Sequence, residues 1–131
     1  MIGLDTNVLV RYIMQDDAKQ SPKATKVIEA LTVDAPGFVS LISVVELGWV
    51  LSSSYGLTRN QFEQTLDVLL RTKEIVVDRA DQVLKALRVF KAGSADFADC
   101  LIERTAAAAG CDRTMTFDIG AAKTAGMTLI Q

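Results

Sequence analysis

Short apolar runs alternate with amphipathic stretches along the whole chain, and that alternation restricts the fold more than any other feature. Met1–Leu4, Phe38–Ser40, Ile75–Val77, Thr114–Phe117 and Met127–Ile130 read as five short strands. Val8–Ile13 reads as a brief helix. Ser21-Pro22 is a start signal, a capping hydroxyl with proline at the first helical position, for a helix carrying Ala24, Val27, Ile28 and Leu31 on one face. Another helix is expected from about Val44 to Ser54, ending before Gly56. Thr58 and Gln61 form a capping-box pattern for a helix presenting Phe62, Leu66, Leu69 and Leu70. Asp78 is expected to start a helix bearing Val83, Leu84, Leu87 and Phe90 and closed by Gly93. Phe97–Ala109 is a further helix, stopped by Gly110 as a left-handed cap, and Ile119–Thr124 is a last short one. Strands alternating with helices predict an α/β fold: a parallel sheet sandwiched between helices, in three α/β/α layers. With no repeat or linker, residues 1–131 read as one domain.

Four carboxylates stand where apolar runs stop. Asp5 ends the first strand, and Glu46 lies one turn into the helix after the second. Asp99 opens Cys100-Leu101-Ile102, and Asp118 closes Thr114–Phe117. In a parallel α/β fold such positions meet at the carboxyl edge of the sheet, where ligands bind. Acids that close cannot all remain ionised without a compensating charge, and a hard divalent cation with oxygen ligands supplies it.

Composition removes competing chemistries. The chain has no histidine, so Ser-His-Asp and Cys-His machinery and the usual His-based zinc sites are excluded. Cys100 and Cys111 are too few for a disulfide framework, lack metal-ligand spacing and read as reduced thiols. No apolar stretch approaches the roughly 18 residues of a membrane span, and no basic leader is visible, so a cytoplasmic protein is expected. Half of the 131 residues are apolar, enough for a full core.

The motifs resemble those of PIN-domain ribonucleases. Asp5-Thr6-Asn7-Val8-Leu9 is similar to that family's opening, and Ser43-Val44-Val45-Glu46-Leu47 to its helix with a single Glu. Asp96-Phe97-Ala98-Asp99-Cys100-Leu101-Ile102 resembles the third acidic motif, and Thr114–Asp118 the fourth. The small size resembles VapC-type toxins, the ribonuclease half of bacterial toxin–antitoxin pairs. The resemblance implies a five-stranded, mostly parallel sheet in the order 3-2-1-4-5. It also implies that Asp5, Glu46, Asp99 and Asp118 are catalytic and hold Mg²⁺ or Mn²⁺, with Thr6, Asn7, Asp96 and Thr116 in support. The implied reaction is hydrolysis of single-stranded or looped RNA by a metal-oriented water, leaving 5′-phosphate and 3′-hydroxyl ends. Glu103, one turn after Asp99, departs from a position where a small residue is common.

Taken singly, each acid also has an ordinary explanation. Asp5 and Asp118 could cap the segments after them, Ser43 and Glu46 fit a capping box, and Asp96 and Asp99 suit a helix N-terminus. Two rivals follow: a non-catalytic interaction module on the same fold, and a haloacid-dehalogenase-type phosphatase, which needs an acid where this chain has Asn7. The formal charge of −2 and pI near 5.1 run against an RNA substrate, but removing the four proposed ligands leaves +2. Arg11 reads either as a phosphate contact or as an ordinary solvated helix charge, and Asp16, Asp17, Asp34, Asp67 and Asp112 read as solvated charges. Trp49 is expected in core or interface packing, and the helices around Val50-Leu51 and Phe62–Leu70 offer apolar surface for a homodimer. A small antitoxin is expected to lay a helix near Trp49, Val50 and Leu51 and to reach the acids with an arginine.

Overall fold

The computed structural model describes residues 1–131. The elements run β1 (Ile2–Gly3), α1 (Thr6–Met14), α2 (Gln20–Glu29), β2 (Gly37–Val39), α3 (Leu41–Trp49), a π-helical turn (Val50–Ser54) and α4 (Arg59–Arg71). They continue with β3 (Ile75–Val77), α5 (Ala80–Ala92), α6 (Phe97–Ala108), β4 (Met115–Thr116), α7 (Ile119–Thr124) and β5 (Thr128–Leu129). Every strand pair is parallel, and each crossover contains helix, as a parallel ladder requires.

The strands form two ladders rather than one. β2 lies between β1 and β3, with Gly3 opposite Phe38 and Phe38 opposite Val76. β4 pairs with β5, Thr116 opposite Leu129. The expected order 3-2-1-4-5 is therefore present as 3-2-1 and 4-5, without a β1–β4 ladder. Both strands at that seam are only two residues long, and their backbone bonds are directed to β2 and β5. Leu4 N donates to Phe38 O at 2.8 Å, and Ile130 N to Thr116 O at 2.8 Å.

Leu9, Val39, Val44, Leu47, Leu51, Leu66 and Val83 are almost wholly buried and make the centre of the core. At one end of it, Phe62 of α4, Phe90 of α5 and Phe97 of α6 meet edge-on, with centroids 5.1 to 5.9 Å apart. Each such pair is worth about 0.5–1.5 kcal/mol beyond its buried area. Gly48 lets α3 approach this triad, since a Cβ there would stand 3.2 Å from Phe62 Cζ.

Several helix starts differ from expectation because other side chains supply the caps. α3 begins at Leu41: Ser40 accepts from Ser43 N at 3.2 Å, so the Ser43/Glu46 capping box is not formed. Its continuation through Ser54 is a π-turn, with Tyr55 N donating to Val50 O and Ser52 Oγ to Gly48 O. Asp78 does not cap α5. Its N–H extends the β3 ladder to Val39 O, its carboxylate accepts from Leu41 N at 3.4 Å, and left-handed Arg79 (φ 51°) turns the chain into α5. α2 begins at Gln20, one residue before Ser21. The carboxylate of Asp17 takes the N–H groups of Lys19 and Gln20, a structural task rather than that of a solvated charge. The Thr58/Gln61 capping box of α4 is complete.

Candidate active site at the strand ends

The end of β1 turns sharply into α1. Leu4 is buried, and Asp5 follows in extended conformation as the N-cap, its Oδ1 accepting from Thr6 N at 2.7 Å. Thr6 is buried, and its hydroxyl donates to Glu46 Oε1 at 2.8 Å, across 40 residues of sequence. Glu46 is thus held by the corner that Asp5 caps. Thr6 serves both acids: its N–H takes Asp5 and its hydroxyl takes Glu46. Asn7 is exposed.

A second group gathers where α6 begins and β4 ends. Asp96 is the N-cap of α6, but its side chain makes no capping bond. Asp99 lies in the first turn, half-buried. Burial pushes its carboxyl above the ordinary range, and the charges of Asp96 and Asp118 push it the same way. Asp118 caps α7, accepting from Ala121 N at 3.2 Å, while its own N–H donates to Thr116 Oγ1 at 3.0 Å. Gly120 permits this closure, because a Cβ there would lie 3.1 Å from Asp118 Oδ1.

The simple capping roles of Asp5 and Asp118 are therefore present, yet they leave acceptor capacity free on both carboxylates. Four ion pairs form elsewhere, and none includes Asp5, Glu46, Asp96, Asp99 or Asp118. Five acids with no cationic partner are a donor set suited to a hard divalent ion. No three of them converge tightly enough to enclose one between them. A divalent ion held here would therefore draw on one or two of these carboxylates and fill its remaining positions with water and substrate phosphate.

Other candidates sit differently. Glu103 pairs with its neighbour Arg104 and is occupied. Arg11 is committed to Gln20, Asp16 and Tyr55, so it is not a free phosphate contact. Trp49 is 69 % exposed, outside the core. It borders a groove of about 170 Å³ with Val45, Gly48, Phe62, Phe97 and Asp96. Leu51, Leu66 and Leu69 belong to the core and offer no docking surface, while Phe62, also a core residue, forms part of the groove wall. The exposed apolar stripe of α3 is instead Ile42, Val45 and Trp49. The sequence reading passed over Arg59, whose guanidinium binds three backbone carbonyls at the entrance to α6. No local sequence pattern marks such a contact.

No helix is long and apolar enough to cross a membrane. No curated protein matches the chain. Residues 2–127 match the family profile described as PIN domain, in agreement with the parallel strands and the acids at their ends. The chain belongs to the PIN-domain family.

Proposed function

We propose that this chain is a divalent-metal-dependent endoribonuclease acting as the toxin of a VapC-type pair. Family membership gives it a nuclease-type function. The metal dependence is supported by the gathering of Asp96, Asp99 and Asp118 where α6 begins and β4 ends, with no cationic side chain paired to any of them and the half-buried Asp99 carboxyl pushed up by burial and its two neighbours. The toxin role rests on the resemblance of the motifs and the small size. A carboxyl strained as that of Asp99 is poised to take a positive ligand. A bound dication supplies the missing charge, a water of lowered pKa and a bridge to a phosphate oxygen. The residues prepare for it. Thr6 fixes Asp5 and Glu46 on one side, Thr116 and the α7 amides orient Asp118 on the other, and the α6 dipole favours anionic Asp99.

RNA cleavage is expected to require Mg²⁺ or Mn²⁺ and to stop in chelator. Asp5→Asn, Asp99→Asn and Asp118→Asn are each expected to lose Mn²⁺ binding and cleavage while remaining folded. Cleavage by rigorously purified protein in chelator overturns the metal mechanism, and a wild-type chain that binds no Mn²⁺ favours the interaction-module rival. The toxin role adds a homodimer and a small antitoxin, for which the groove beside Trp49 is the candidate seat. Expression of wild-type and Asp5→Asn chains in bacteria tests it. Growth arrest by the wild type alone, relieved by the partner, is expected, whereas equal growth of both at equal soluble levels removes the toxin role.

A further inference from the structure

We propose that Arg59 is a positioning residue for the acids of α6, acting through the backbone that leads into Asp96; this inference rests on the nuclease reading above. Arg59 opens α4, yet its guanidinium reaches the far end of α5. One amino group donates to Ala95 O at 2.7 Å, and the other to Phe90 O at 2.8 Å and Gly93 O at 3.2 Å. The group lies over the ring of Phe90, 3.7 Å from its centroid.

α5 is the one helix that needs such a device. The other six α-helices each end with a backbone N–H turned back onto a carbonyl. α5 ends without one, at an extended Gly93. Gly93, Ser94 and Ala95 make no backbone–backbone hydrogen bond. The fork of Arg59 is thus the polar fastening of the connection between α5 and α6, and its charge meets the negative end of the α5 dipole. Buried Ala95 immediately precedes Asp96, and Asp96 does not fix the helix start with its own carboxylate. A rigid planar group on α4 therefore sets where α6 begins, and with it Asp96 and Asp99.

Arg59→Met tests this, since it keeps an aliphatic stem against Phe90 and removes the fork. Mn²⁺ affinity, measured by titration on the folded variant, is expected to fall about tenfold, the scale on which residues supporting metal ligands act. Arg59→Lys, with donors but no planar fork, is expected to recover part of it. Lys91→Ala removes the 3.7 Å ion pair to Glu63, which joins the same two helices without touching residues 93–95, and is expected to leave Mn²⁺ affinity unchanged. Amide exchange at residues 94–99 is expected to quicken in Arg59→Met, while α1 keeps its protection. Faster exchange with unaltered Mn²⁺ affinity overturns the positioning role, as does an equal loss in Lys91→Ala. A wild-type chain that takes up no Mn²⁺ fells the nuclease reading instead, and unchanged exchange in Arg59→Met separately overturns the fastening.

Discussion

The two acidic groups at the strand ends are built on opposite plans. On the β1 side, Asp5 and Glu46 each accept a hydrogen bond from Thr6, so their negative charge is partly answered within the fold. On the α6 side, Asp96 makes no capping bond and Asp99 is pressed by burial and by two like charges. The first arrangement stabilises the corner it occupies. The second costs stability in the metal-free protein, and under the proposed function that cost returns as affinity for a cation. Where a fold leaves charge unanswered, a ligand is the natural complement.

Removing the strained charge is the sharpest way to break this contrast. Asp99→Asn is expected to reduce RNA cleavage by at least about 100-fold, as for loss of a group acting on transition-state charge. The same variant is expected to raise the melting temperature of the metal-free protein, by about 1–3 °C. The sign follows from linkage. A carboxyl whose folded pKa lies above its unfolded value costs nothing at low pH, where both states are protonated, and destabilises as pH rises through the folded value. The advantage of Asp99→Asn is therefore expected to grow above about pH 4 and to vanish below it. Thermal melts across pH in chelator give the check, and a variant less stable at neutral pH contradicts the contrast.

The tethered side is probed by Thr6→Val, which keeps the shape and deletes the hydroxyl. It is expected to destabilise by about 1–3 kcal/mol, because the bond to Glu46 is charge-assisted, with Thr6→Ser retaining most of it. Denaturant titration measures this, and the loss should be present with or without metal. A smaller effect is expected at the corner between α1 and α2. Tyr55 and Arg11 hold the Asp16 carboxyl below its ordinary range, and the N–H groups of Gln20 and Lys19 do so for Asp17. Their contribution is present above the unfolded pKa near 4 and lost as pH falls through the lower folded values, the opposite sense to Asp99. Asp17→Asn should accordingly matter at neutral pH and converge with the wild type in acid.

How much of this was legible in sequence depended on the range of the interaction. The alternation of strand and helix and the Thr58/Gln61 box are local patterns, and both appear in the structure. The acids at the ends of apolar runs were visible for the same reason. Ser40, Asp17 and Asp78 were misjudged because several capping residues lie within reach of one helix start, and strand direction selects among them. The missing β1–β4 ladder reflects strands too short to advertise their partners. Arg59 was invisible because its carbonyls lie 31 to 36 residues away and carbonyls have no sequence signature.

Trp49 is the chain's single tryptophan, and it stands largely in water beside the groove. Its indole emission should already sit close to the solvent limit in the native protein, so denaturation should shift the spectrum little. Covering that face should shift it strongly to the blue. The molecule thus carries a native optical probe that is nearly silent to unfolding and sensitive to whatever settles over α3, readable without any label.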